Sequence, residues 1–386
     1  AEGLPLLALQ VHDRKWGLLG MASMGSLAWS GFGSDGGGFS WRALLRVDHS
    51  AQSLLVAVGG LFAGSLALCS ALLVSARLQR CLMYLNWLPL PLFTYWLPFQ
   101  EWQVADLRKL SSFRLGHIAR TIRVRTSDGE VLEGWHLAPS QLGPALAGAS
   151  LEMQGKDAPA VDLRERMFDE ALADAASFAL LFLHGQGGTR GVYNRVELLR
   201  ALASQLEAHV VAVDYRGFDG STGRPSQEGL VRDGLAAWGW LRARRKGPAF
   251  VYGQSLGAAV ALQLAAALES LAPEQGAEPP SGVVLDAPFS SATAAAMRHP
   301  LYRPLAALPP LRHALARCLV DRWESTAVVR KVRCPLLILG AGRDGIVGPA
   351  GAAELARAAF EERGEDAETV QLAIVEEALH SNAYAS

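Results

Sequence analysis

The chain has 386 residues, of which 50% are hydrophobic and only 19% are charged, and its formal net charge is −1. A disordered chain is apolar-poor and a small disulfide scaffold is rich in cysteine, so this composition, with four cysteines, excludes both classes. The balanced charge gives no indication of a nucleic-acid partner. The length alone predicts two or three domains, or one large α/β domain with additions.

The apolar residues concentrate near the start of the chain. Only Arg77 and Arg80 are charged between residues 49 and 100. The uncharged stretch 53–76 would measure about 36 Å as a helix, whereas the hydrocarbon core of a bilayer is about 30 Å thick. We therefore predict an N-terminal segment over residues 1–48 and a membrane anchor over 49–100 with a transmembrane helix at 53–76. A buried core helix is the alternative.

Two further features of the predicted anchor are a pair of glycines within the span and an aromatic segment after it. Gly60 and Gly64 have the small-residue spacing of closely packed helices, which is weak evidence for a homodimer through the span. Residues 81–100 are uncharged, aromatic-rich and broken by three prolines. Prolines disfavour a straight span, and aromatic side chains favour the headgroup zone of a membrane. We predict an interfacial or re-entrant segment there, with a second span as the alternative.

A β-hairpin is predicted in the region that follows the anchor. Residues 119–126 and 130–137 alternate between polar and apolar side chains, and Asp128-Gly129 provides the turn between them. Residues 139–175 lack strand character. We predict a loop there, with a short helix near residues 163–173.

The remainder of the chain predicts one α/β domain. Short apolar runs bounded by Gly or Pro alternate with stretches of helical composition. Strands buried on both faces and separated by helices indicate a mostly parallel central sheet with helices on both faces. We place this domain at residues 112–386. The predicted strands are 178–183, 209–213, 248–252, 282–285, 335–339 and 369–375, and the predicted helices are 193–207, 229–245 and 256–271.

One motif in this domain carries chemistry. The third of these strands leads directly into Gly253-Gln254-Ser255-Leu256-Gly257, and an alanine-rich helix follows. A strand, Gly-x-Ser-x-Gly and a helix in this order form a nucleophile elbow, whose glycines permit a tight turn and a close approach of strand and helix. We predict that Ser255 is a catalytic nucleophile. A Ser/Gly turn that merely opens a helix is the alternative.

A serine nucleophile needs a base, which an acid in turn orients. In this arrangement the acid and then the histidine follow the serine along the chain. His380 comes after the last predicted strand, so we predict it as the base. Asp344 and Asp286 each follow a strand. We predict Asp344 as the acid because it follows the later strand, and Asp286 is the alternative.

The reaction also requires donors for the oxyanion of the tetrahedral intermediate. We predict the backbone N–H of Leu256 and, in the glycine-rich loop 184–191, that of Gln186. A phosphate-binding loop is disfavoured there because no Gly-Lys-Ser/Thr follows. Serine hydrolysis requires no cofactor and no metal, and the four cysteines do not have the spacing of metal ligands.

Several motifs occur in a recognisable order, namely residues 184–191, 214–218, 223–229 and 253–257. Through them the sequence resembles the α/β-hydrolase family, and within it the membrane-anchored lysophosphatidylserine and monoacylglycerol lipases. The resemblance implies an α/β-hydrolase fold preceded by one span, hydrolysis of lipid ester bonds through an acyl-enzyme, and a location at the endoplasmic reticulum. A lipid substrate and a membrane are the partners it implies.

The sequence departs from this family pattern in two places. The acid motif, residues 344–349, contains one extra glycine, and the chain ends six residues after His380, where family members continue into a final helix. The second departure predicts either a truncated sequence or a sheet without that cover. Two other functions stay open. One is a serine peptidase or acyl-thioesterase of the same fold; the other is an inactive membrane scaffold, against which the intact serine, histidine and acid positions argue.

Overall fold

The computed structural model describes residues 75–86, 106–151, 160–175, 177–275, 277–298 and 309–383, together with five single positions between 53 and 64. Ala1–Phe62 and Ala63–Ser386 form separate compact units. The predicted N-terminal segment 1–48 lies outside the described residues, as does most of the predicted anchor 49–100. The predicted homodimer contact through the span likewise remains a prediction.

The C-terminal end of the predicted span differs from the expectation. Ser75 is extended and caps a new helix, α1 (Ala76–Tyr84), by accepting a hydrogen bond from the N–H of Leu78 at 3.2 Å. Helix α1 therefore crosses the expected boundary between the span 53–76 and the segment 81–100. Of the latter, residues 87–100 lie outside the description. In the part of the chain that is described, no helix is both long and apolar enough to cross a membrane.

The predicted hairpin is confirmed. Strand β1 (Ala119–Arg125) pairs antiparallel with β2 (Val131–Leu137). Gly129 in the connecting turn has φ +91°, a conformation that L side chains rarely adopt and glycine adopts without strain.

Six further strands extend this hairpin into an eight-stranded sheet within the described residues. The sheet order is β1-β2-β4-β3-β5-β6-β7-β8, with β2 antiparallel to both neighbours and all later pairs parallel. All six strands predicted after the hairpin are confirmed, with ends shifted by at most two residues. They are β3 (Ala179–Leu183), β4 (His209–Val213), β5 (Ala249–Gln254), β6 (Val283–Asp286), β7 (Leu336–Ala341) and β8 (Val370–Val375).

The predicted loop at 139–175 is wrong in part. It contains helix α2 (Gly143–Leu151), and helix α3 (Ala160–Ala173) begins three residues before the predicted 163–173. Helix α2 consists of Gly, Pro, Ala, Ser and Leu, so it has no polar face from which a helical period could be read. Among the described residues the other α-helices are α4 (Tyr193–Gln205), α5 (Gln227–Arg244), α6 (Leu256–Gln275), α7 (Ala292–Arg298), α8 (Pro309–Cys318), α9 (Ser325–Val329) and α10 (Ala350–Arg363).

The core lies on both faces of the sheet. Alternate residues of a strand point to opposite faces, and in β3 Leu181 and Leu183 join one apolar cluster while Leu180 and Phe182 join another. The first cluster includes residues of α5, α6 and α10, and the second includes residues of α4. This arrangement confirms a mostly parallel sheet covered by helices on both sides, which leaves the carboxyl ends of the parallel strands at one edge.

Candidate active site

Ser255 occupies a sharp turn between β5 and α6, as the elbow motif predicts. Its φ is +53°, and its N–H donates to the carbonyl of Asp286 at 2.8 Å. A Cβ at Gly253 would lie 2.3 Å from the carbonyl oxygen of Gly257, and a Cβ at Gly257 would lie 1.9 Å from that of Leu183. Both positions therefore require glycine for strand and helix to approach this closely.

The structure brings the three predicted catalytic side chains together. Nε2 of His380 lies 2.9 Å from Oγ of Ser255, and Nδ1 lies 2.8 Å from Oδ2 of Asp344. All three groups are largely buried: Ser255 and Asp344 are each 8% exposed, and the His380 side chain is 14% exposed. A serine, a histidine and a carboxylate in this sequence of hydrogen bonds can activate the serine hydroxyl by removing its proton.

The carboxylate of Asp344 is held in its ionised form. Burial alone would raise its pKa, but the hydrogen bond with His380 and the backbone N–H groups of Ile346 and Val347 outweigh burial, so its pKa lies below the usual value. Those two N–H groups donate to Oδ1 at 2.8 and 3.0 Å. These two hydrogen bonds fix Oδ1, and Oδ2 is left to orient the imidazole.

The side chain of Asp286, the alternative acid, forms hydrogen bonds with residues other than His380. Its buried side chain accepts hydrogen bonds from the hydroxyl of Tyr252 at 3.0 Å and from Nε2 of Gln254 at 3.4 Å. Burial raises the pKa of this carboxyl above its usual value. Its backbone, rather than its side chain, supports Ser255.

Other histidine and aspartate residues of the domain are placed differently. His184 is fully buried, and its ring centroid lies 4.3 Å from that of Tyr215. Asp214 forms a buried ion pair with Arg190 and accepts the Arg190 N–H at 2.7 Å. His313 is exposed on α8, and position 299 lies outside the described residues.

The two predicted oxyanion donors lie beside Ser255. Leu256 is the first residue of α6, where backbone N–H groups have no acceptor within the helix. Gln186 lies in the loop after β3. A Cβ at its neighbour Gly185 would lie 3.3 Å from the Ser255 Cβ, so this loop passes directly over the nucleophile. Ser255, Leu256 and Gln186 all line one cavity.

That cavity is predominantly apolar. Helix α1 contributes Gln79, Leu82 and Met83 to it, a contribution that the sequence analysis missed because it assigned this stretch to the anchor. The available signal was the i, i+3, i+4 spacing of these residues in a stretch that Arg77 and Arg80 interrupt. The other lining residues are Phe289, Ala292, Ala295, Ala296, Met297, Cys318, Leu319, Trp323, Ile346 and Val347.

The sheet order, the elbow and the hydrogen-bonded side chains define the class of protein: an α/β hydrolase. Residues 180–378 match the alpha/beta hydrolase family, and the chain belongs to this family. The resemblance found in the sequence is thus confirmed.

Two named relatives and one solved structure show which members of the family the chain is similar to. Lysophosphatidylserine lipase ABHD12 of Macaca fascicularis is 30% identical over 279 residues, covering 70% of this chain and 61% of that protein. Protein ABHD12B of Homo sapiens is 31% identical over 244 residues, covering 61% and 60%. The chain therefore spans about three fifths of the length of these relatives. The crystal structure of an alpha-beta hydrolase from Vibrio vulnificus shares the fold with a TM-score of 0.52 at 17% identity, covering 78% of this chain and 89% of that one.

Proposed function

We propose that this protein is a serine hydrolase that cleaves carboxylic ester bonds of lipids, with a lysophospholipid or a monoacylglycerol as substrate. One observation carries the proposal: the hydrogen-bonded series from Asp344 through His380 to Ser255 ends at an apolar cavity. The relatives named as lysophosphatidylserine lipases support this substrate class.

The first half of the reaction forms an acyl-enzyme. His380 removes the proton from Ser255 Oγ as that oxygen attacks the acyl carbonyl carbon. The backbone N–H groups of Leu256 and Gln186 donate to the resulting oxyanion. His380 then passes its proton to the alkoxide of the glycerol backbone as the ester bond breaks, and the alcohol leaves.

The second half releases the fatty acid. His380 removes a proton from a water molecule whose oxygen attacks the acyl carbonyl, and the same N–H groups stabilise the second oxyanion. The proton returns to Ser255 Oγ when the acyl-enzyme bond breaks. Throughout, Asp344 fixes the imidazole tautomer and stabilises the imidazolium that forms in each half.

Peptidase and thioesterase activity use the same chemistry with a different leaving group. The lining favours a lipid, because most of the side chains around Ser255 are apolar, including Leu82, Met83 and Phe289. Binding of an acyl chain to an apolar wall is favourable because it removes apolar surface from water, whereas a bound peptide backbone requires hydrogen-bonding partners. The inactive-scaffold alternative is disfavoured by the short distances among the three catalytic groups.

We further propose that a span within the uncharged stretch 53–76, N-terminal to α1, anchors the protein in the endoplasmic reticulum membrane. The absence of charge over a length sufficient to cross the bilayer supports the span. Gly60 and Gly64 are helical and exposed, which is compatible with a second copy packing there. Extraction of membranes with alkaline carbonate tests the anchor, because an integral protein stays in the pellet and a peripheral one is released.

A fluorophosphonate probe tests the enzymatic proposal. We expect covalent labelling of the full chain, no labelling of Ser255→Ala, and normal labelling of Ser270→Ala, a matched control on the exposed side of α6. Turnover of a lysophospholipid, a monoacylglycerol, a peptide and a thioester by a separate, unlabelled preparation of the wild-type protein then assigns the substrate class. Equal labelling of wild type and Ser255→Ala would sink the serine mechanism, and turnover of peptides alone would sink the lipase function.

A further inference from the structure

Helix α1 packs into the hydrolase domain. Gln79, Leu82 and Met83 lie at i, i+3 and i+4, so they share one helix face, and all three line the cavity that contains Ser255. Tyr84 at the end of the helix is fully buried and belongs to the main apolar cluster of the sheet. The stretch that directly follows the proposed span is thus a wall of the active-site cavity.

One side of α1 is fixed to the segment that follows α8. The Arg80 Nε and the Tyr84 hydroxyl both donate to Oδ2 of Asp321, at 3.0 and 2.8 Å. The Gln79 side chain donates to the carbonyl of Cys318 and accepts from the N–H of Val320, both at 2.8 Å. Because Asp321 is only 5% exposed, its two partners make contacts that water cannot readily replace.

The C-terminal end of α1 is fixed to the loop that passes over the nucleophile. The last carbonyls of a helix lack donor partners within the helix, and here the loop supplies donors for two of them. The N–H of Gly187 donates to the carbonyl of Tyr84, and Nε2 of Gln186 donates to the carbonyl of Leu82, both at 3.1 Å. Helix α1 therefore contacts both the cavity and the loop that carries a proposed oxyanion donor.

We propose that α1 is the wall of the acyl-binding site that sets the length of acyl chain accepted, through Leu82 and Met83. The inference rests on the proposed function, since it requires an acyl chain on Ser255. That chain extends from the ester carbonyl into the apolar cavity, where these two half-buried side chains are part of the lining. A larger side chain at either position takes up space in the cavity, which a long acyl chain needs more than a short one does.

The test uses the full chain in detergent with p-nitrophenyl butyrate and p-nitrophenyl palmitate. For Met83→Trp and Leu82→Trp we expect the ratio of kcat/KM for the palmitate ester to kcat/KM for the butyrate ester to fall about tenfold or more below the wild-type ratio. Fluorophosphonate labelling at the wild-type rate shows that each variant retains its active site. Arg77→Trp is the matched control, because Arg77 is exposed on the same helix and lies outside the cavity lining.

The outcomes separate the two proposals. If wild type neither labels nor hydrolyses either ester, the proposed function fails. If wild type hydrolyses both esters, and Trp variants that react normally with the probe in a separate assay keep the wild-type ratio of palmitate to butyrate turnover, the role of α1 is overturned while the hydrolase function stands. Should the Trp variants lose labelling, the smaller replacements Leu82→Phe and Met83→Phe decide by the same ratio. A shift in Arg77→Trp equal to that in Met83→Trp would also overturn the role of these two residues.

Discussion

Oδ2 of Asp344 lies 2.8 Å from Nδ1 of His380, although 36 residues separate the two in sequence. They follow neighbouring parallel strands, and the pairing of β7 with β8 runs to Ala341 opposite Val375, just before both loops begin. The register of this one strand pair therefore sets the distance between acid and base. Ser255 follows β5 at the same edge of the sheet. The pairing of the strands, and not the loops alone, therefore brings the three residues together.

The Asp344→Asn variant should lose most of its activity. An asparagine cannot stabilise the imidazolium, and its amide can hold the neutral ring in the wrong tautomer. We expect kcat for ester hydrolysis to fall about a thousandfold to ten-thousandfold, with KM little changed. Steady-state kinetics on a short-chain ester provides the measurement.

The Asp286→Asn variant is the counterpart, because Asp286 is the other acid that follows a strand. Its side chain contacts Tyr252 and Gln254, and an asparagine oxygen can still accept from both. We expect kcat to stay within about tenfold of wild type, since no charge on this residue is used in the reaction. If Asp286→Asn is the more damaging of the two substitutions, the acid has been assigned to the wrong strand.

The proposed catalytic residues could be singled out from the sequence because each lies next to a strong local signal. Ser255 lies in an elbow that requires glycine on both sides, and Asp344 and His380 each follow a short apolar run that forms a strand. The role of α1 could not be predicted in this way. Leu82 and Met83 lie in an apolar stretch beside the proposed span, and hydropathy does not distinguish a side chain that contacts lipid from one that lines a cavity. Only the tertiary contacts of Tyr84 and Arg80 with Asp321 do so.

Replacing Gly257 by alanine should prevent the elbow from forming. The added Cβ would lie 1.9 Å from the Leu183 carbonyl oxygen, which belongs to the central strand β3 and cannot move aside. We expect a loss of more than about 3 kcal/mol in the free energy of unfolding, together with loss of fluorophosphonate labelling. Gly239→Ala in α5 is the matched control, because its Cβ would meet nothing within 4 Å. That variant should be as stable as wild type or gain up to about 1 kcal/mol, and equal losses in the two variants would contradict the steric argument.

The buried ion pair of Arg190 and Asp214 should be sensitive to removal of one partner. Arg190 is 1% exposed, Asp214 is fully buried, and the guanidinium lies 5.0 Å over the ring of Trp135. Arg190→Leu leaves the Asp214 carboxylate buried without its cation. We therefore expect the free energy of unfolding, measured with urea, to fall by about 3–5 kcal/mol. Arg357→Leu removes an exposed partner of Glu361 on α10 and should change the midpoint very little. If the two variants lost comparable amounts of stability, burial of the ion pair would not determine the effect of removing its arginine.

The stability of the domain should fall in mild acid through His209. This histidine is buried, its Nδ1 lies 3.0 Å from Nε2 of His136, and burial, with the nearby charges of Arg245 and Arg120, lowers its pKa to about 4. The folded state thus keeps His209 neutral while the unfolded chain takes up a proton near its usual pKa of about 6.5, so stability is lost as the pH falls from about 6.5 towards 4. At about pH 5 the loss from this residue is about 2 kcal/mol. Burial also lowers the pKa of His136 and of His184, so part of the acid sensitivity remains without His209. Urea unfolding near neutral pH and near pH 5 should therefore show a loss that is smaller by about 2 kcal/mol in His209→Gln than in wild type and in His313→Gln, an exposed control. If His209→Gln loses as much stability in acid as wild type does, another group is responsible for the acid sensitivity.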